Sequence, residues 1–247
     1  MRNGYGAAAL RMKRDPLHVK AVGSEFPLIL GRDVSGVIME TGLDVSWFKP
    51  GDEVWAAVPP WKQGTLAEFV VASANEVAHK PKALSHRHAA ALPYVALTTW
   101  SALVNNGGLK KDNCKGKRFD FILDNVGGQS EGWALNLLKP WSGATYVTLV
   151  TPFMINADSL GVADGIIKSG ITLGSKVLKH LRQGVHYRWA IFTPSGPTLD
   201  EVTELVDEGK IRPVVEQSFS FSEVPKAFLK MEGGHARGKT VIDRSKE

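Results

Sequence analysis

The 247-residue chain contains a single cysteine, Cys114, so it has neither a disulfide framework nor a cysteine-based zinc site. No apolar run approaches the ~20 residues that a membrane-spanning helix requires. The first fifteen residues, MRNGYGAAALRMKRD, lack the apolar stretch of a secretory signal. Internal repeats and low-complexity tracts are missing as well. These absences exclude a disulfide-stapled scaffold, a repeat protein and a helical membrane span.

The composition is that of a globular protein, with 43% hydrophobic and 22% charged residues. The net charge of +5 suits an anionic ligand such as a dinucleotide. The basic residues are spread along the sequence, and their densest run, 110–118, has no interleaved aromatic residues. We therefore expect no nucleic-acid partner.

Short strands separated by Gly and Pro turns are predicted for residues 1 to about 80. The turn Lys49-Pro50-Gly51-Asp52 should lead into a strand, because Pro presets φ and Gly accepts a positive φ. A helix capped by Ser85 and a second helix after Pro93 should follow. The predicted strands are Val34–Met39, Glu53–Ala57, 65–71 and a segment ending near Pro81.

From residue 119 the pattern changes to alternating strands and helices, with almost continuous apolar strands of the kind that parallel sheets bury on both faces. An amphipathic helix is predicted over 199–208 from its apolar spacing. The other elements predicted here are strands at 119–124, 143–150 and 170–174, a helix at 129–138, and mixed structure over 219–242.

Several segments together resemble the medium-chain dehydrogenase/reductase superfamily, in its zinc-free quinone oxidoreductase branch. They are Gly31–Ile38, Lys49–Trp55, Gly64–Phe69, Leu92–Trp100, Asp124–Gly128 and Gly238–Val241. The resemblance implies a GroES-like substrate module, a Rossmann domain and NADPH-dependent reduction of quinones or other activated carbonyls. The cofactor's nicotinamide would carry the hydride.

Four further segments resemble mitochondrial members of that branch: Val54–Trp61, Trp141–Val150, Gly184–Trp189 and Gly234–Lys239. This resemblance implies a mitochondrial location, a role in ubiquinone metabolism, a reticulon partner and an influence on neurite growth. A homodimer is also compatible with it.

Zinc-dependent members carry G-H-E-x-x-G where this chain has Gly31-Arg32-Asp33-Val34-Ser35-Gly36. A guanidinium replaces the imidazole and cannot ligate a metal. Cys114 lies in an unrelated Lys/Asn-rich stretch. We expect no metal site, and we expect His79, His86, His88, His180 and His186 to be surface or interface residues.

The glycine-rich turn that receives a dinucleotide pyrophosphate is missing between residues 100 and 180. The family pattern breaks between Arg118 and Phe119, where two βαβ units of about 30 residues each are absent. The predicted fold is therefore α/β: a partial GroES-like β module and an incomplete Rossmann sheet lacking its first three strands. The predicted domains are 1–104 (GroES-like, trimmed at its start), 119–200 (the Rossmann remnant) and 201–247 (a return to the GroES-like domain).

This shortened form is expected to bind NADPH poorly, and the alternative is a catalytically inactive fragment that binds a reticulon or another partner. Strand 119–124 should become an exposed apolar edge, which favours aggregation.

The resemblance also assigns cofactor contacts. Asn125, Gly127 and Val150 would line the nicotinamide, unless the glycines only form a strand–helix turn. His235, Ala236 and Arg237 would close over the cofactor, and Arg237 or Lys239 could meet a phosphate; the alternative is a solvated turn. Thr98 would approach the nicotinamide, or its hydroxyl would bond within its own helix. No general acid can be named.

Overall fold

The computed structural model describes residues 27, 29–108 and 118–246. The described residues belong to two compact units. We call residues 29–97 and 194–246 the β unit, and Pro27, 98–108 and 118–193 the α/β unit. The domain limits at residues 104, 119 and 200 stay predictions.

The β unit contains a three-stranded antiparallel sheet with the order β1-β2-β3. Its strands are β1 (Asp33–Val37), β2 (Glu53–Ala57) and β3 (Val77–His79). The turn before β2 is closed by a hydrogen bond of 3.1 Å from Asp52 N to Lys49 O, and Gly51 has a φ of +94°. The predicted turn is therefore confirmed.

The rest of the β unit consists of helices and a two-stranded parallel sheet, β7-β8. Helix α6 begins after Ser195, whose hydroxyl accepts a hydrogen bond of 3.2 Å from Thr198 N. The elements are α1 (His86–Ala89), α6 (Gly196–Asp207), β7 (Val215–Phe219), α7 (Val224–Glu232) and β8 (Lys239–Ile242). Helix α2 (Pro93–Trp100) runs from the β unit into the α/β unit and continues as a π-helical segment, Ser101–Asn106.

The α/β unit is built on a parallel sheet with the order β4-β5-β6. Tyr146 and Val147 on the central strand are completely buried, as expected for a strand covered on both faces. The elements are β4 (Phe121–Asp124), α3 (Gln129–Leu135), β5 (Thr145–Thr148), α4 (Phe153–Leu160), α5 (Val162–Leu181) and β6 (His186–Trp189). The small antiparallel module and the three-stranded parallel sheet agree with the predicted α/β class of two partial domains.

Two predicted strands are wrong. Residues 170–174 lie inside helix α5. The prediction failed because a short apolar run does not distinguish a strand from a buried helix. Residues 65–71 form no strand: Leu66 N donates to Leu30 O at 2.8 Å, and no ladder continues beyond Ala67 among the described residues. Phe69 and Val71 are exposed there.

Two further differences from the sequence predictions concern His180 and strand β6. His180 is buried rather than on the surface, because its ring stacks on Tyr187 at 5.4 Å between centroids. Strand β6 was not predicted, since its sequence HYRW combines charged residues with aromatic ones.

Candidate functional site

The loop after β4 is organised by the carboxylate of Asp124, which is buried. Its Oδ1 accepts hydrogen bonds of 2.9 Å from both Val126 N and Gly127 N. The Ser130 hydroxyl adds a longer contact of 3.4 Å. Gly127 and Gly128 have φ values of +70° and +65°, which favour glycine. The loop is thus fixed at the carboxyl edge of the sheet, where open α/β folds bind ligands.

The second carboxylate oxygen of Asp124 accepts a hydrogen bond from the hydroxyl of Tyr146 on β5. Burial alone would raise the pKa of Asp124, but the hydrogen bonds from Gly127 N, Tyr146 and Val126 N outweigh it and lower that pKa. Burial and the neighbouring Asp124 carboxylate raise the pKa of Tyr146. Asp124 is therefore held as a carboxylate and Tyr146 as a neutral donor.

Val150 lies directly beside this loop. A Cβ placed on Gly127 would lie 2.7 Å from Val150 Cγ1, so only glycine allows the observed approach. Asn125 is exposed on the same loop, and the Val150 side chain is 47% exposed. The structure thus places Gly127 directly against Val150, with Asn125 two residues before Gly127 on the same loop. Their contact with a nicotinamide stays a prediction.

An aromatic and ionic cluster supports this edge from within the α/β unit. The rings of Tyr146 and Tyr187 stack at 5.2 Å, and the Tyr187 hydroxyl lies 3.3 Å from both Lys176 Nζ and Glu131 Oε2. Lys176 and Glu131 form an ion pair of 2.7 Å. Burial would lower the pKa of Lys176, but the hydrogen bond to Glu131 raises it. The sequence analysis did not find this cluster, because α5 and β6 were not predicted.

Thr98 lies on helix α2, where it is half-buried and belongs to the α/β unit. Its predicted proximity to a nicotinamide stays a prediction.

The other predicted contacts lie in the β unit, on the turn between α7 and β8. His235, Ala236 and Arg237 are exposed. His235 has a φ of +59°, a left-handed conformation that costs a non-glycine residue about 1–2 kcal/mol. Arg237 N donates to Glu216 Oε2 at 3.2 Å, and Lys230 Nζ lies 3.0 Å from the same atom. Glu216 thus fixes the backbone of this turn.

Lys239 was predicted as a possible phosphate ligand, and in the structure its ammonium group faces the carboxylate of Asp33. Its Nζ lies 3.5 Å from Asp33 Oδ2, and Tyr94 N donates to Asp33 Oδ1 at 2.5 Å. Burial raises the pKa of Asp33, although the charge of Lys239 and the Tyr94 N–H act in the opposite direction. The β unit therefore contains an acid–base pair that the sequence analysis did not identify.

The side chain of Arg32, which the sequence resemblance matches to a histidine of zinc-dependent members, holds the loop after β2. Its Nη1 donates to Pro59 O at 3.0 Å and to Lys62 O at 2.8 Å. No group of three or more His, Cys, Asp or Glu side chains that could hold a metal ion occurs among the described residues.

His86, also beside this sheet, connects three elements of the β unit. Its Nδ1 lies 2.8 Å from the Ser35 hydroxyl and its Nε2 lies 2.9 Å from Glu53 Oε1. The Ser35 hydroxyl also donates to Val54 O at 3.1 Å. The hydrogen bonds among His86, Ser35 and Glu53 thus link β1, β2 and α1.

Two family models match the chain. "Alcohol dehydrogenase GroES-like domain" matches residues 11–82, and "Zinc-binding dehydrogenase" matches residues 96–242. The chain belongs to the medium-chain dehydrogenase/reductase superfamily. The residues matched by the second model include both the Asp124–Gly128 loop and the turn at His235.

Relatives of this family member include the "NAD(P)H oxidoreductase RTN4IP1, mitochondrial" of Mus musculus, which is 59% identical over 98% of this chain and 77% of its own length. The "Reticulon-4-interacting protein 1, mitochondrial" of Caenorhabditis elegans is 32% identical over 98% of this chain and 83% of its own length. The predicted quinone oxidoreductase branch is supported by a "Quinone-oxidoreductase QR1, chloroplastic" of Triphysaria versicolor, 30% identical over 89% of the chain and 80% of its own length.

The alignment with the mouse relative also bears on the predicted absence of two βαβ units. It extends over 305 residues although this chain has 247, so the matched region of the relative contains residues with no counterpart here. The difference is on the order of two βαβ units of about 30 residues each.

Solved structures confirm the fold. The quinone oxidoreductase of Coxiella burnetii matches with a TM-score of 0.69 and 22% identity over 95% of this chain and 82% of its own. Human synaptic vesicle membrane protein VAT-1 homolog-like protein matches with a TM-score of 0.65 and 18% identity over 94% and 85%.

The family is one of oxidoreductases, and its relatives are named for a nicotinamide cofactor. The vertebrate relatives are named mitochondrial, which supports the predicted location by resemblance. Within the part of the chain that the structure describes, no helix is both long and apolar enough to cross a bilayer.

Proposed function

We propose that this chain derives from an NADPH-dependent oxidoreductase that reduces quinones or other activated carbonyl compounds. The observation that carries the proposal is the Asp124–Gly128 loop, which sits against Val150 at the carboxyl edge of a parallel sheet. The identity of 59% to a relative named NAD(P)H oxidoreductase supports the same reaction class.

Within that role, Asn125, Gly127 and Val150 would receive the nicotinamide ring. Thr98 would approach the ring from helix α2, and His235, Ala236 and Arg237 would contribute the closing turn. Lys239 is engaged by Asp33 at 3.5 Å, so among the basic residues of this segment Arg237 is the better phosphate ligand.

The residues present fit the nicotinamide end of the cofactor better than its pyrophosphate end. A Rossmann domain receives the pyrophosphate at the N-terminus of the helix after its first strand. In the described residues of the α/β unit, the glycine turn at Gly127 leads into a helix of only 7 residues, α3. We therefore infer that this chain binds NADPH weakly.

Isothermal titration of the full chain with NADPH tests this inference, with the mouse relative as the positive control. We expect the relative to bind and this chain to give a dissociation constant near 1 mM or weaker, about −4 kcal/mol. A low micromolar dissociation constant for this chain would contradict the loss. In that case Gly127→Val, which places a branched side chain against Val150, should weaken binding at least tenfold, while Gly132→Val on the exposed face of α3 should not.

The physiological role inferred from the relatives is mitochondrial ubiquinone metabolism, with a reticulon as partner and an effect on neurite growth. Supplying this chain to cells that lack the relative tests the role. Restored ubiquinone levels would indicate a working reductase, whereas unchanged levels would agree with weak cofactor binding.

The second candidate function is an inactive interaction or regulatory fragment that binds a reticulon or another partner. The break at Arg118–Phe119 favours it, because the chain keeps most of the β module and loses cofactor-binding elements. Binding of the purified chain to a reticulon, measured without and with 1 mM NADPH, distinguishes the two. A fragment should bind equally well in both conditions.

A further inference from the structure

Residues 65–71 have the sequence pattern of a strand, but they form no ladder with the rest of the described chain. The last main-chain hydrogen bond in this region is donated by Ala67 N at 2.9 Å. The next is donated by Ser73 N to Glu76 Oε2 at 3.3 Å. Between them, the main-chain N–H and C=O groups of residues 68–72 form no hydrogen bond with another described residue. We call residues 68–72 the unpaired segment.

The side chains of the unpaired segment alternate as they do in an extended strand. The chain continues past its end to Ser73 without a turn or bend, and Ser73 has extended dihedral angles, φ −77° and ψ 141°. Phe69 and Val71 are 72% and 90% exposed, whereas Val70 and Ala72 are half-buried. A period of two in exposure is that of a strand with one face against the protein. A second strand can therefore pair with this segment as it stands.

The bare main-chain groups determine what kind of partner fits the unpaired segment. A lipid surface or a helix would cover Phe69 and Val71 but would leave these N–H and C=O groups without partners. Another extended chain supplies donors and acceptors at the spacing of a strand, which is why unpaired edges bind further strands. The aromatic and β-branched side chains of the segment favour a sheet as well. The partner that fits is therefore a strand.

The sequence of the unpaired segment is complementary to itself in antiparallel orientation. When two copies pair with Val70 opposite Val70, each Phe69 lies opposite the Val71 of the second copy on the outward face. Cross-strand pairs of an aromatic with a β-branched residue stabilise sheets. A shift of the register by one residue would turn these side chains to the other face. The same surface on both chains is what a two-fold interface requires.

The one charged residue of the segment selects the same orientation. Glu68 is exposed, and its Oε1 lies 3.0 Å from Arg244 Nη2. In the antiparallel pair Glu68 lies opposite Ala72 of the second copy, so no like charges face each other. Parallel pairing in register would place the two Glu68 carboxylates side by side, which is destabilising.

We propose that residues 68–72 are a self-association surface, which binds the same segment of a second copy of this chain as an antiparallel strand centred at Val70. The strand pattern of residues 65–71 is then completed between two chains. Five residues of strand span about 17 Å. The interface is therefore smaller than the ~800 Å² per partner of a standard complex. The expected dimer is weak and reversible, with a dissociation constant on the order of 50 µM.

Sedimentation equilibrium of the full chain between about 1 and 300 µM tests the proposal. The wild type should shift reversibly from monomer to dimer. Val71→Lys should weaken dimerisation at least tenfold, because a charge on an edge opposes the addition of a strand. The matched control is Leu43→Lys, the same charge change at a fully exposed leucine of the β unit, and it should behave as the wild type. Both positions are exposed, so both variants should keep the fold, as circular dichroism would show.

Disulfide formation with diamide as the oxidant tests the orientation in a Cys114→Ser background. Phe69→Cys chains mixed with Val71→Cys chains should form a mixed disulfide, because directly opposite residues are about 4.5–5.5 Å apart. Each variant alone should give little product, since diagonal neighbours are about 7–8 Å apart. Efficient disulfide formation by Phe69→Cys with itself would mean parallel pairing and would overturn the proposal.

A synthetic peptide with the sequence of residues 64–73 separates the possible partners. It should bind to the chain and inhibit the mixed disulfide. A chain that binds the peptide but stays monomeric up to ~300 µM would accept a strand from another protein instead, which contradicts self-association. A dimer that Val71→Lys leaves unchanged and that gives no mixed disulfide would arise from a different surface and would also overturn the proposal.

Discussion

The hydroxyl of Tyr146 donates a hydrogen bond to the carboxylate of Asp124 between two neighbouring strands, and both side chains are buried. The same carboxylate holds two backbone N–H groups of the loop that follows β4. One tyrosine on the central strand thus stabilises the conformation of a loop that it does not belong to.

Tyr146→Phe should destabilise the chain by about 1–3 kcal/mol, because it removes a donor from a buried carboxylate. The pKa of Asp124 should rise at the same time. Urea denaturation measures the first effect and carbon NMR of the Asp124 carboxyl measures the second. The matched control is Tyr187→Phe, whose hydroxyl has only 3.3 Å contacts. A larger loss of stability in the control would contradict the role of Tyr146.

Stability should fall as the pH falls below about 4, because the folded-state pKa of Asp124 is lower than its usual value of 3.8. A carboxylate with a lowered pKa contributes stability above its unfolded-state pKa and loses it as it is protonated in the folded state. Asp124→Asn should flatten this part of the profile. Free energies of unfolding at pH 6, 4 and 3 check the prediction, and an unchanged slope in the variant would count against it.

Asp33 should contribute the opposite pH dependence in the β unit. Burial raises its folded-state pKa, so its contribution is complete below pH 3.8 and is lost as the pH rises through the folded-state pKa. Asp33→Asn should therefore gain stability relative to the wild type between pH 4 and pH 7. Thermal unfolding at the two pH values measures the change. A variant that is destabilised more at pH 7 than at pH 4 would show that the ion pair with Lys239 outweighs burial.

Gly127→Ala should be more destabilising than Gly128→Ala. Both positions have a positive φ, which costs alanine about 1–2 kcal/mol. Only at residue 127 does the added Cβ also overlap Val150, so a further ~1–3 kcal/mol is expected. Val150→Ala should recover part of the loss in the Gly127→Ala background, as chemical denaturation would measure. Equal effects of the two alanine substitutions would mean that the loop moves away from Val150.

Strand β4 should be an aggregation site. It pairs only with β5 among the described residues, and Phe119 beside it is 56% exposed. Phe119→Lys should slow aggregation, measured by light scattering, while changing stability by less than ~0.5 kcal/mol. Leu43→Lys, at an exposed leucine of the β unit, is the control and should have little effect. A wild-type chain that melts sharply and reversibly above ~60 °C would contradict the expected marginal stability.

The sequence predicted the elements whose signals are local. Strand β2 has the predicted bounds, because Pro50 and Gly51 mark its turn and its apolar residues mark its length. Helix α6 follows from the spacing of Leu199, Val202 and Val206, all three of which are buried. The glycines at 127 and 128 marked the loop at the sheet edge for the same reason, since a positive φ is a local requirement.

Contacts between distant residues could not be predicted. Tyr146 reaches Asp124 only because β5 pairs in parallel with β4, and nothing near either residue specifies that register. The pairing of Asp33 with Lys239 joins positions on β1 and β8. Residues 65–71 show the opposite error, because their apolar alternation is typical of a strand and the hydrogen bonds that would complete one are missing beyond Ala67.

Arg32 has a consequence for attempts to convert this protein into a metalloenzyme. Its guanidinium joins the start of β1 to two carbonyl oxygens of the loop at Pro59 and Lys62. Replacing it with the histidine of zinc-dependent members would supply one ligand and would release that loop at the same time. The Arg32 side chain thus connects two segments of the β unit by hydrogen bonds, so the loop would have to be redesigned before a metal ion could be introduced.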